Sequence, residues 1–147
     1  MTLPSALASL ALTLSAWGTA TGTTSGTDTD EGSPVIAMPE EAHDYPLAQV
    51  SGLLELREGC LVLGGAVVFW PYGAAWDAEN KAVSFEDSPQ FEDAAAAPIG
   101  AVFTGGGGWY PTDTASFRSW RGDELADSIE KCQEATGISG DVVYAYP

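Results

Sequence analysis

Positive charge is what this chain has least of. Five Lys and Arg residues stand against 21 Asp and Glu among 147, a formal net charge of −16 at pH 7. A summed field of that sign repels phosphate backbones and anionic lipid surfaces, so nucleic acid is not an expected partner. The same excess of carboxylates also keeps a protein soluble with no cationic ligand involved. Histidine occurs once, as His43, and cysteine twice, as Cys60 and Cys132. Two cysteines cannot complete a four-ligand zinc site when the one histidine lies in a linker-like segment, and no cofactor is expected. The apolar run Leu3–Trp17 falls short of the roughly 20 residues that a bilayer-crossing helix needs, so no transmembrane span is expected either.

What is present divides the chain into three. Residues 1–20 have the length and apolarity of a signal-peptide leader, although Met1-Thr2 brings no Lys or Arg to its start. Gly18 and Ala20 supply the small residues that a signal peptidase needs, which places a cleavage after Ala20. Residues 21–47 open with a stretch rich in Gly, Thr and Asp that has little to bury and reads as a flexible tether. Asp28, Asp30 and Glu31 do not match the calcium-loop spacing, which needs glycine at the sixth position. Pro39 and Pro46 exclude a long helix from the rest of this segment, while Val35, Ile36 and Tyr45 are able to cover an edge of a domain. Residues 48–147 remain for one globular unit.

Within that unit the pattern is mostly strand. Leu54 and Leu56 alternate with Glu55 and Arg57, and Cys60–Leu63 and Ala66–Trp70 are short apolar runs bounded by Gly59, Gly64-Gly65 and Pro71, which together predict a three-stranded antiparallel meander. Trp76-Asp77 and Ala82–Phe85 form a further hairpin across Glu79-Asn80, with one face of the second strand meeting Val67, Val68 and Phe69. Ile99–Thr104 is a strand candidate, followed by four glycines, Gly105–Gly108, read as a flexible hairpin or as close backbone packing under an aromatic ring. Asp123–Thr136 is the one helix: Leu125, Ile129 and Cys132 share a face, Asp123 is the expected N-cap and Gly137 the C-cap. Asp141–Tyr146 closes the chain as a strand. The expected fold is α+β, a small mostly antiparallel sheet or barrel of about six strands with one C-terminal helix.

Candidate chemistry is sparse. Glu86, Asp87, Glu92 and Asp93 repeat a Phe-Glu-Asp triplet at a spacing of six, a weak candidate for a divalent cation and, with Asp77, for a carboxylate-dependent hydrolase. His43-Asp44 has no accompanying nucleophile, and Arg121-Gly122-Asp123 is a three-letter match of little specificity. The leading expectation is therefore a non-enzymatic module, with the calcium-stabilised module and the extracellular hydrolase as alternatives. Trp70, Tyr72, Trp76, Trp109, Tyr110 and Trp120 lie near turns, where ring faces are able to stack on a glycan or pack on a protein partner.

Leu14-Ser15-Ala16-Trp17-Gly18 resembles the lipobox of bacterial lipoproteins, in which Leu, a small residue and Ala or Gly precede a lipid-carrying cysteine. Here Trp17 stands at the cysteine position, and an indole cannot accept the diacylglyceryl group. The resemblance, which covers about the first fifth of the chain and includes the flexible tether, is to small lipoproteins of high-GC Gram-positive bacteria. It implies an exported protein, secreted or associated with the cell envelope. In such a compartment Cys60 and Cys132 are expected to form a disulfide; two unpaired buried thiols are the alternative.

Overall fold

The computed structural model describes residues 32–112 and 115–147. The leader, the lipobox-like stretch and most of the tether therefore lie outside the described residues. Element order is β1 (Ala48–Arg57), β2 (Cys60–Leu63), β3 (Ala66–Phe69), β4 (Ala75–Asp77), β5 (Ala82–Ser84), β6 (Ala97–Pro98), β7 (Val102–Tyr110), α1 (Ala115–Arg121), α2 (Asp123–Thr136) and β8 (Val142–Tyr146).

The expected meander is β1, β2 and β3, joined by two-residue turns in which both central residues have positive φ: Glu58 (48°) with Gly59 (76°), and Gly64 (57°) with Gly65 (86°). Turns of that hand match the right-handed twist of the strands they join. The meander is then closed by chain from far away. β7 returns antiparallel to β1, with Val50 opposite Gly105, and β8 fits antiparallel to β7 and parallel to β3, with Val68 opposite Val143. The result is a closed five-stranded barrel in the order β1-β2-β3-β8-β7, a Greek-key arrangement because the fourth strand comes back beside the first. β1 serves both neighbours: its first six residues pair with β7 and its last four with β2. Near that change of partner the backbones of Gly52 and Gly64 nearly touch, since a Cβ on Gly52 would lie 2.7 Å from the Gly64 Cα.

Strand alternation separates two cores. Leu54, Leu61, Leu63, Val68, Trp70, Val143 and Ala145 fill the barrel, and Val83, Phe85 and Ala97 pack against the same cluster. Those last residues come from the small sheet β4-β5-β6. Of the residues expected to meet β5, Val68 does, whereas Val67 and Phe69 point the other way. They form a second cluster with Leu125, Ala126, Ile129 and Cys132 of α2, Phe117 of α1, and Val142 and Tyr144 of β8. β2 and β3 are thus buried on both faces, which is why they read as unbroken apolar runs.

The Cys60–Cys132 disulfide is present, with 5.7 Å between Cα atoms and a sequence separation of 72. It fastens the C-terminal half of the covering helix to the start of β2. Packing begins N-terminal to the barrel, inside the segment 21–47: Met38 N–H donates to Trp70 O and Trp70 N–H to Ile36 O, and Met38 is buried. Val35, Ile36 and Tyr45 also lie against the two cores, as expected of residues able to cover an edge.

Several expectations are corrected. Among the described residues there are eight strands rather than about six, and two helices rather than one. The glycine run is neither a hairpin nor flexible but the interior of β7: Gly105, Gly106 and Gly107 pack against β8, where a Cβ on Gly106 would fall 2.3 Å from the Tyr146 ring. Close packing under an aromatic ring, the other expectation for this run, is what the structure holds. Gly107 adds a φ of 155° and would place its Cβ 1.8 Å from Tyr144 O, so no side chain fits there. The helix spans Asp123–Thr136 as expected and ends at Gly137 in the left-handed region, but its N-cap is Gly122. Asp123 lies inside the first turn, where its carboxylate accepts from Arg118 at 3.0 Å.

Candidate functional site

The aromatic residues singled out in the sequence have dispersed to different fates. Trp70 is wholly buried in the barrel, its ring 5.7 Å from Phe85 and 5.3 Å from Phe103. Trp76, half-buried, packs on the same cluster. Tyr72 and Trp109 are exposed and belong to neither core cluster; Trp109 pairs with Val143 across β7 and β8, and its neighbour Tyr110 pairs with Val142 and packs on the second cluster.

Tyr110 and Trp120 do come together. Their ring centres are 4.9 Å apart, and Phe117 lies 6.4 Å from Tyr110 and 6.3 Å from Trp120. With Pro111 these rings line an open niche of about 260 Å³. Trp120 is 53% exposed. β7 delivers Tyr110, and α1 delivers Phe117 and Trp120 three residues apart on one face.

Trp120 also borders a second concavity. A groove of about 670 Å³ runs between the segment Met38–Asp44 and the corner Trp120–Glu124 where α1 meets α2. Glu40, Glu41, His43 and Asp44 are exposed along one wall, Asp123 and Glu124 along the other. Arg121 is the cation of this groove. Its Cζ sits 3.4 Å from the centre of the Trp120 ring and 5.9 Å from those of Tyr110 and Tyr144.

The two arginines of the corner have opposite situations. Arg118 is held by Asp127 at 2.8 Å, Asp123 at 3.0 Å and Glu130 at 3.1 Å, and these bonds, led by Asp127, push its pKa up. That network welds α1 to α2. Arg121 forms no ion pair among the described residues, and its Nε is buried without a hydrogen-bond partner. The hydroxyl of Tyr144 is likewise buried and unpaired, and burial pushes its pKa up.

The acidic candidates show no comparable assembly. Glu86, Asp87, Glu92 and Asp93 are all exposed on the loop between β5 and β6. No group of three or more His, Cys, Asp or Glu side chains converges as a metal would require, among the described residues. Asp77 accepts from the Asn80 side chain at 2.7 Å and from the backbone N–H groups of Glu79 and Asn80; the side-chain bond is the chief reason its pKa is lowered. Such a carboxyl stabilises a turn, and its shift is opposite to that of a general acid.

The sequence signal for the corner was the density of Arg and Trp over 118–121. Nothing in the sequence linked it to Tyr110 or to the Met38–Asp44 wall, because α1 was not foreseen. Comparison of the chain with protein-family models, with curated proteins and with solved structures finds no match.

Proposed function

We propose that this protein is an exported binding module without chemistry of its own, and that it contacts its ligand through the corner built by Tyr110, Pro111, Phe117 and Trp120. The observation that carries the reading is the exposure of Trp120 beside two further rings and a proline. A rigid aromatic platform of this kind stacks on the apolar face of a sugar ring or on an apolar peptide segment at low entropic cost. Residues lining it are neutral, so the overall negative charge does not oppose such ligands. The disulfide supports an oxidising, extracytoplasmic location, and no helix among the described residues is long and apolar enough to cross a membrane.

Calorimetric titration with soluble cell-wall glycans and with apolar peptides tests the platform. Trp120→Ala is expected to lower affinity at least tenfold while leaving the unfolding midpoint within about 0.5 kcal/mol of wild type, as for other exposed positions. Equal binding by wild type and Trp120→Ala overturns the assignment. The lipoprotein-like origin of the leader is proposed on Leu14–Gly18 alone. Intact mass of the protein recovered from an expressing actinobacterial host, as wild type and as Trp17→Cys, reports cleavage, lipidation and the disulfide together. An unlipidated Trp17→Cys form removes that origin.

A further inference from the structure

The niche beside Trp120 has a shape and a set of polar atoms that discriminate between ligands. The Tyr110 ring stands 4.9 Å from the indole and is inclined to it by 44°, so the two bound a notch rather than one flat platform. Phe117, only 5% exposed, is the most buried of the residues that line it, and Pro111 completes the wall. Arg121 lies against the indole with its Cζ 3.4 Å from the ring centre, a cation–π contact that occupies one face of Trp120 and holds its plane before any ligand arrives.

Among the described residues the only side-chain polar atoms in that lining are the Tyr110 hydroxyl and the Trp120 indole nitrogen. A sugar carries hydroxyls around its rim that need acceptors as well as donors when they leave water, and the indole N–H only donates. A proline-rich peptide is the better complement. Its carbonyls accept, its proline nitrogens carry no hydrogen that would need an acceptor, and its compact apolar rings fit between aromatic ones. Its backbone is also already fixed near the polyproline II conformation, so docking orders little. Charge then decides what accompanies the prolines. Past Trp120 the chain of the ligand meets the groove in which Glu40, Glu41, Asp44 and Glu124 are exposed and have no cationic partner among the described residues. Arg121 opposes these four with a single charge, and the protein as a whole carries −16, so a basic segment is attracted and an acidic one repelled.

We infer that the niche of Tyr110, Pro111, Phe117 and Trp120 docks a basic, proline-rich peptide segment, its prolines against the rings and its Lys or Arg side chains in the field of the carboxylates beyond Trp120. This rests on the reading of the Trp120 corner as the ligand-contacting surface, and it names the class of ligand that the corner takes.

The test is calorimetric titration of the full chain with four probes: end-capped hexapeptides of tetraproline followed by two lysines, tetraproline followed by two glutamates and tetra-alanine followed by two lysines, and a neutral N-acetylglucosamine oligomer. The proline-lysine peptide is expected to bind at least tenfold more tightly than either other peptide. Trp120→Ala is expected to remove that binding. Glu40→Gln with Glu41→Gln is expected to narrow the gap between the lysine and glutamate peptides while leaving the gap between the proline and alanine peptides in place. Circular dichroism melting of each variant separates loss of a contact from loss of the fold. A proline-lysine peptide that binds no better than its alanine or its glutamate counterpart, or that gives no heat at millimolar concentration, overturns the proposal. Binding of the sugar oligomer alone, abolished by Trp120→Ala, overturns it while leaving the aromatic corner as a ligand surface. Peptide binding that Trp120→Ala leaves unchanged overturns both.

Discussion

The barrel wall has two halves that are built to different rules. β2, β3 and β8 carry apolar side chains on both faces, because α2 and α1 cover the outside while the barrel core fills the inside. β1 and β7 are buried on one face only. Their outer face shows Ser51 bonded to Thr104 at 2.9 Å, and Leu53 and Val102 paired but 43% and 70% exposed. Closure of the barrel removes edges from both halves, so the bare half remains a sheet without being a template for another strand. What separates the halves is a helix held down by one disulfide and by the Arg118 network. The aromatic corner of Tyr110, Phe117 and Trp120 then forms where the covered half ends, at the junction of β7 and α1.

The sharpest way to break the comparison is to hollow the covered half. Phe69, wholly buried and stacked 4.8 Å from Tyr144, is expected to cost about 3–5 kcal/mol when replaced by Ala. Val102→Ser on the bare half should shift stability by no more than about 0.5 kcal/mol. Urea denaturation measures both, and comparable losses would mean that the outer core does not carry the stability assigned to it.

Removing the covalent attachment comes next. Replacing both Cys60 and Cys132 by Ser frees a loop of sequence separation 72 in the unfolded chain and is expected to cost about 4 kcal/mol on a chain-entropy account. Gly106→Ala tests the seam between the halves. Its methyl would meet the Tyr146 ring, whose hydroxyl donates to Pro46 O, and a loss of about 1–3 kcal/mol is expected from the displaced ring. A neutral result would show that Tyr146 has room to swing away.

Two smaller effects are pH-dependent and distinguish the regions by sign. Burial raises the pKa of Tyr144 above its ordinary value of 10.0. The folded state therefore binds its phenolic proton more tightly than the unfolded chain does. Stability from this source is intact below about pH 10 and is lost as pH rises from there through the raised folded value. Alkaline melting of Tyr144→Phe should show a flatter decline over that range than wild type. Asp77, fully exposed in a surface turn, has the reverse sign: its lowered pKa gives stability present above the ordinary value of 3.8 and lost as pH falls below it. Asp77→Asn should reduce the acid sensitivity slightly, with the smallest change of the series.

Local chemistry in the sequence specified what local geometry decides. The two tight turns at Glu58-Gly59 and Gly64-Gly65, the meander they join, the limits of α2 and its left-handed end at Gly137 follow from residue types acting over a few positions. The pairing of Cys60 with Cys132 was legible as an expectation, from the two cysteines and the helical face that holds Cys132. Long-range closure was not legible. Nothing within Gly105–Gly108 announces a strand, since what makes it one is Tyr146 and the β8 backbone, 40 residues away, filling the space that side chains would have taken. The same holds for the corner. The sequence supplied Trp120 and Arg121 as neighbours, and only tertiary structure gave Arg118 three carboxylates and left Arg121 stacked on an indole with its Nε unpaired. Charge, turns and helix faces are properties of short stretches, whereas partners across a barrel are fixed by which distant surfaces exclude water together.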